Sequence, residues 1–402
     1  EEARALGDAP ALAEAEALLG LGLAAAGDYE GAEAATLAGL REALASGYEG
    51  AAVEASTRAI RVIGLRRGRY AEAALWGEVA RGLVRRRGER PEEVGRLEGN
   101  LAGLDLLQGR AAAALLRFDR ALELFEAAYG RGHAESLMIL NNRGAALHAL
   151  GRREELRRNL EEAAARTREA LGDHHPSLAM VLSNLGNTVL REGEVARAAA
   201  LQQEALAIRE GALGPGHPEL AILLVNLGES RAYGGDLEGA DAAIARALAI
   251  REEALGPEHP STADALFALG NLRLVWRGEA RAARPLLERA IALFRRHLPA
   301  EHPKLSLCSA LLGRAEVELG KVAAGIARIE AALRRADEGG WLPADAAEVR
   351  FLLAGALWGR PRERARARLL AEEARIGYAK AGPLYAKEVA AVEAWLAARA
   401  GG

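Results

Sequence analysis

His133, His175, His217, His259 and His302 recur at steps of 42, 42, 42 and 43 residues, and four of the five sit in a G-x-x-H-P loop or a near variant of it. A second series keeps the same beat: Gly27, Gly68, Gly109, Gly151, Gly193, Gly235, Gly278, Gly320 and Gly359. A chain that repeats at so constant an interval stacks one supersecondary unit on the next, each touching only its neighbours. The length of 402 residues therefore does not divide into independent globular domains in the usual way.

The stretch from His175 to Leu213 shows what the unit is. Pro176 suits the first turn of a helix, where its missing N–H has no intrahelical partner, and it pushes the residue before it out of helical geometry. Leu182, Leu185 and Val189 follow on one face, with Gly186 beside them where a second helix can approach. Gly193 interrupts the pattern. Val195, Ala198, Leu201, Ala205, Leu206 and Ile208 make a second stripe, which ends at Leu213-Gly214-Pro215. Two helices with one apolar face each must close as a hairpin, and nine turn glycines predict nine hairpins.

The spacing L-G-x-x-x-x-x-x-G-[DRE]-x-x-x-A resembles the tetratricopeptide repeat. With L-N-N-x-G at Leu140 to Gly144, S-N-L-G at Ser183 to Gly186 and R-A-L-A-I-R-E-E-A-L-G-P-E-H-P at Arg246 to Pro260, it is similar to the 42-residue form of kinesin light chains over about residues 95–320. The resemblance implies an all-α, right-handed superhelical solenoid of about nine hairpins. Residues 1–90 hold two divergent hairpins without the H-P loop, 91–340 six regular ones, and 341–402 a ninth and a C-terminal capping helix, as one continuous array. Three departures mark the regular part. Eight residues instead of seven separate Gly270 from Gly278, which predicts a π-type bulge or a longer turn near Trp276. Glu338 to Pro343 replaces the H-P loop, and Leu384 to Arg399 follows Gly382-Pro383 as a cap with Val389, Val392, Trp395 and Leu396 on one side.

Composition narrows the function. A net charge of −3 with 27% charged residues gives no bulk attraction to nucleic acid or membrane. Cys308 stands alone, which fits a reducing cytoplasm, and no apolar run approaches a membrane span. The start, Glu1-Glu2-Ala3-Arg4, lacks both an initiator methionine and a leader pattern, and reads as the start of a fragment; four lysines among 53 basic residues suggest a GC-rich bacterial genome. Arg85-Arg86-Arg87 suits a helix C-terminus. Gly20 to Ala25 matches a loose G-x-G-x-x-A but lies mid-helix with no strand before it. Histidines on successive hairpins stand too far apart to share a metal, so they read as loop residues that cap or brace the next helix. Cys308 near His302 has no orienting third group. No catalytic residue, metal site or cofactor is expected, and the chain does not read as an enzyme.

What remains is the face of each first helix turned away from its partner. Counting positions at 100° per residue places Arg96, Gly99, Asn100 and Gly103 there, then Met138, Asn141 and Asn142, then Met180, Ser183, Asn184, Asn187 and Arg191. Ile222, Val225, Asn226, Glu229 and Tyr233 follow, and Asp264, Phe267 and Asn271 continue the row. Amides between apolar side chains suit an extended peptide, because each can donate to and accept from its backbone. The kinesin-light-chain resemblance implies that role for Asn142, Asn184 and Asn226, and less directly for Asn100 and Asn141. Bracing between neighbouring helices is the other use of such a ladder. Arg96, His148 and Arg191 lie early in the row and Glu229, Asp264 and Glu318 late, which predicts a protein or peptide partner with an acidic segment over hairpins three to five; Tyr233 and Phe267 offer apolar contact. The ending, with A-R-A-R-L-L-A-E-E-A-R and a final E-x-W-L-A-A-R, is similar to the C-terminal repeat region of myxobacterial serine/threonine protein kinases. That resemblance implies the sensor or substrate-recruiting part of a signalling kinase. A nucleotide-switch ATPase is the alternative parent, and a self-assembling structural module the alternative role.

Overall fold

The structure is a computed structural model that describes residues 8–25 and 28–399; Gly27 and the Glu1 to Arg4 start lie outside the described residues. Nineteen α-helices and no strand occur among the described residues. The first four hairpins are α1 (Ala9–Ala25) with α2 (Tyr29–Ala45), α3 (Glu49–Ala59, continued by a π-helical stretch Ile60–Arg66) with α4 (Tyr70–Arg86), α5 (Pro91–Leu107) with α6 (Ala111–Tyr129), and α7 (Ala134–Ala149) with α8 (Arg153–Leu171). They form one compact unit, which ends at Asp173. A second unit begins at His174. It contains α9 (Pro176–Arg191) with α10 (Val195–Leu213), α11 (Leu220–Gly234) with α12 (Leu237–Leu255), and α13 (Pro260–Asn271, continued by a π-helical stretch Leu272–Trp276) with α14 (Ala280–His297). It continues with α15 (Pro303–Glu318) and α16 (Val322–Asp337), α17 (Pro343–Trp358) and α18 (Arg364–Ala381), and ends on α19 (Ala386–Ala397).

Two kinds of glycine make the chain turn. Inside a hairpin, Gly193 at φ 87° accompanies two backbone bonds, its own N–H to Leu190 O at 2.9 Å and Glu194 N–H to Val189 O at 2.9 Å. This is the Schellman end of a helix, which favours glycine at the left-handed residue. Between hairpins, Gly214 sits at φ 85°, ψ 161°, a region open to glycine alone. His133, His175, His259 and His302 each cap the helix that follows, whereas α11 starts later, at Leu220 with Glu219 as its N-cap. His133, His175, His217, His259 and His302 accept through Nδ1 from the backbone N–H two residues on, at 3.2–3.3 Å. Gly359 departs from the series: it lies at φ −64°, and the ninth hairpin turns instead through a short 3-10 segment, Pro361–Glu363.

Helices close on one another by matching small against large. A Cβ added at Gly186 would stand 2.8 Å from Gln202 Nε2, one at Gly228 2.5 Å from Ile244 Cγ1, and one at Gly270 2.8 Å from Leu287 Cδ2. The large partner always lies nine residues after the turn glycine. In the second hairpin the sizes are exchanged: Ile60 of the first helix lies 3.9 Å from the Cβ position of Gly77 in the second. Ile60 stands eight residues before Gly68, as Gly270 stands eight before Gly278, and a π-helical stretch takes up the extra residue in both places. The expected irregularity near Trp276 is present, and a second one at Ile60–Arg66 accompanies it.

Within each unit the first helices of successive hairpins touch one another, whereas the second helices do not approach as closely. The first helices therefore line the inner side. The ninth hairpin and α19 share one apolar cluster around Leu353, Ala374 and Val392, against which Val389, Trp395 and Leu396 pack. The cap thus covers the last hairpin's apolar face. Its tryptophans pack as well, with Trp358 and Trp395 edge to face at 5.3 Å and the Arg399 guanidinium over Trp395 at 4.4 Å.

Candidate binding face

The inner face is built from the positions between the buried stripes of each first helix. In the first unit Arg96 is half-buried and paired with Glu135 at 3.4 Å, so its charge is already matched. Asn100 donates through Nδ2 to Thr57 O at 3.1 Å, reaching back to the preceding hairpin. Asn141 is buried and donates to Asn142 Oδ1 at 3.5 Å, with Asn142 half-buried beside it. Asn100 thus braces neighbouring hairpins, whereas the Asn141–Asn142 bond lies within α7.

In the second unit Asn187 accepts from Gln202 Nε2 at 2.8 Å inside its own hairpin, and Asn226 donates to Ser183 Oγ at 3.3 Å across to the preceding one. Asn184 is exposed on the same face. Met180 and Ile222, at equivalent positions of α9 and α11, leave 41% and 58% of their surface open. Hydrophobic side chains left wet at repeating positions offer contact area to another molecule.

A cavity of about 370 Å³ opens where α11 meets α13. Ile222, Val225, Phe267 and Trp276 give it apolar walls, and Asn226 and Asn271 put amides into it. The Oδ1 of Asn271 is buried with no hydrogen-bond partner among the described residues. Asp264 and Lys304 pair at 2.8 Å on its lining, which neutralises the Asp264 charge. Tyr233 stands edge to face on Trp276 at 4.9 Å. The π-helical stretch places Trp276 here, because one extra residue shifts the side chains after it by about 100° around the helix. Eight residues of the sequence-derived row, Ile222, Val225, Asn226, Glu229, Tyr233, Asp264, Phe267 and Asn271, share this one cavity.

The chain's end also reaches this face. A 3-10 segment, Pro383–Tyr385, leads into α19, and the Pro383 Cβ lies 3.5 Å from the Cβ position of Gly193. Tyr385 stands edge to face on Tyr233 at 6.4 Å, and Lys387 Nζ donates to Tyr233 O at 3.1 Å, at the carbonyl end of α11. Around this junction lie Glu229, Asp345, Glu348 and Glu388. None of the four makes an ion pair within 4 Å among the described residues. Burial pushes every one of these carboxyls above the ordinary range, Glu348 to about 7, and the nearby Asp345 and Glu388 add to that rise. Arg191, exposed on α9, pulls Glu229 and Asp345 back down. Burial, with Tyr385 and Glu229 nearby, raises the Tyr233 phenol, and burial raises Tyr385 to about 12, so both stay neutral.

Sequence reasoning missed Trp276 as a wall, Tyr385, and the carboxylates of α17 and α19. Trp276 carried a signal in the eight-residue spacing; the others meet α11 only through folding of residues more than a hundred apart. Cys308 is fully buried, its Sγ 3.7 Å from Leu287 O, and burial raises its thiol, which leaves it a packing residue. Among the described residues no group of three or more His, Cys, Asp or Glu side chains could hold a metal ion, and no helix is long and apolar enough to cross a membrane.

Residues 135–211, 178–253 and 219–296 each match the tetratricopeptide repeat family model. Over that stretch the hairpins are similar to tetratricopeptide repeats. No curated protein sequence matches the chain. Among solved structures, the apo form of the quorum sensor NprR from B. thuringiensis superposes with a TM-score of 0.58 at 15% identity, covering 81% of this chain and 88% of its own. A Rap protein complexed with competence and sporulation factor gives 0.55 at 12% identity, covering 86% and 98%. A kinesin light chain with nearly identical tetratricopeptide-like repeats, from Podosopora anserina, gives 0.46 at 22% identity, covering 52% and 100%. The first two share the fold of this chain, that of a helical-repeat solenoid.

Proposed function

We propose that the second unit is a non-catalytic docking scaffold that holds an extended peptide segment of a partner protein on its inner face. The cavity at α11 and α13 carries this reading: it joins apolar walls to unpartnered amide oxygen, the combination that seats one side chain while gripping backbone. The exposed Met180, Asn184 and Ile222 extend the same surface toward α9. One structural neighbour was solved with competence and sporulation factor bound, which supports a binding role for this kind of array. The acidic ligand segment expected from Arg96, His148 and Arg191 gains little support here, since Arg96 is paired with Glu135 and Arg191 stands near Glu229 and Asp345.

The test is selection from a display library of random peptides on the whole chain and on an Asn184→Ala/Asn226→Ala/Asn271→Ala variant. Saturable binders that lose affinity on the variant, with helix content and melting temperature kept, are the expected result. Binders that ignore the variant would move the surface to the outer helices or the loops. We propose further that the parent is a bacterial signalling kinase, on the likeness of the C-terminal stretch. Reading the coding sequence upstream of Glu1 decides this, because a nucleotide-switch ATPase domain there would favour the alternative.

A further inference from the structure

The peptide reading leaves open what kind of segment would fit, and the second unit's charges decide it. The cavity lining holds Asp264 with Lys304 as a closed pair, and Arg251, whose guanidinium donates to Ser261 O. Those charges are used. Glu229 lines the same cavity and has no ion-pair partner among the described residues. It couples to Asp345 of α17, which in turn couples to Glu348, and Glu348 to Glu388 of α19. Arg314 faces Glu348 but is itself paired with Glu318 at 2.8 Å, and Lys387 is bonded to Tyr233 O. Against four carboxylates, Arg191 is the one cation of this junction with no ion pair or hydrogen bond among the described residues. The wall beside an aromatic cavity is thus short of positive charge.

We propose, on the basis of the peptide reading, that this site takes a segment in which a bulky apolar residue stands next to an arginine or lysine, the apolar side chain in the cavity against Phe267 and Trp276 and the cation among Glu229, Asp345 and Glu348. The geometry links the two halves: Glu229 belongs to both the cavity lining and the acidic wall, so the two ligand side chains lie close together along the segment. Burial first, and neighbouring carboxylates second at Glu229 and Glu348, disfavour the charged carboxyls, and an incoming guanidinium or ammonium group favours them at the moment of binding. Complementary charge of this kind selects partners and orients them in the groove.

The experiment is display selection on the whole chain and on Glu229→Gln/Glu348→Gln, followed by fluorescence anisotropy with the selected peptides. On the native chain the pair of a large apolar residue and Arg or Lys should be enriched. On the carboxamide variant the apolar position should stay enriched and the basic one should not. Replacing the peptide's basic residue by Gln should weaken binding to the native chain about ten-fold, equivalent to ~1.4 kcal/mol, and leave binding to the variant nearly unchanged. Enrichment of acidic residues beside the apolar one, or basic enrichment that persists on the variant, overturns the charge assignment and leaves peptide binding standing. Competition by spermidine as strong as by the peptide overturns the apolar half. No enriched sequence on the native chain removes the peptide reading and this proposal together. Removing uncompensated carboxylates relieves repulsion, so the variant is expected to fold, and its melting temperature checks that.

Discussion

Single residue pairs decide how closely each hairpin shuts. At Gly228 a leucine would drive its Cβ into Ile244, and at Gly186 into the Gln202 amide that bonds Ser183 O and Asn187. Gly228→Leu and Gly186→Leu should each destabilise the chain by roughly 1–3 kcal/mol, read as a lower denaturant midpoint. Gly77 makes a sharper case: a Cβ there would stand 2.8 Å from Leu101 Cδ2, so Gly77→Leu should destabilise on its own and Leu101→Ala should restore part of the loss. Charge has its own residue-scale consequence at Glu348. Its carboxyl is raised from the ordinary 4.5 to about 7, so the folded chain holds the proton more tightly than the unfolded one. The stabilisation is fully present below about pH 4.5 and is lost as pH rises through about 7. Glu348→Gln should therefore raise the melting temperature at pH 8 more than at pH 5, while Glu229, Asp345 and Glu388, shifted the same way, keep some of the slope. An unchanged difference between the two pH values would mean that water reaches Glu348 freely in the folded chain.

At the scale of the element, helix starts and stops were legible because each needs one residue type. Proline at the first turn, glycine at the reversal and histidine in the loop announce where the chain bends, and four of the five loop histidines cap the next helix. His175→Ala should cost about 0.5–2 kcal/mol and His175→Asn much less, measured by chemical denaturation. The π-helical stretch before Gly278 was visible as one residue too many. Its counterpart at Ile60–Arg66 was not, because the size exchange with Gly77 removed the small residue from which the count is made. The turn at Gly359 misled for the opposite reason: a glycine stood at the right interval, but Pro361 carries the reversal there. Deleting Val275 should return α13 to α-helical register, swing Trp276 away from Tyr233 and abolish peptide binding, with far-ultraviolet circular dichroism nearly unchanged. Retained binding in that variant would separate the π-helical stretch from the cavity's role.

Over the whole molecule, the period and the amphipathic stripes announced hairpins, their number and the inner side. They could not announce which distant hairpins meet, because that depends on small rotations accumulated over several repeats. The groove asparagines show the same limit: position placed them on the inner face, but the partners of Asn100, Asn187 and Asn226 came only with the fold. Removing residues 382–402 should lower the melting temperature of the second unit and speed its proteolysis, since Val392 leaves its cluster and Tyr233 loses Tyr385. The contact of Pro383 with Gly193 carries one more consequence, for how such a chain can change length. Arrays of like units ordinarily gain or lose a copy by duplication with little harm, because each copy answers only to the next. Here one more hairpin between α10 and α18 would carry Pro383 about 10 Å from its seat, far beyond a van der Waals contact or the Lys387 hydrogen bond. The second unit in effect counts its own repeats, and five is the number that lets its last residues find its first.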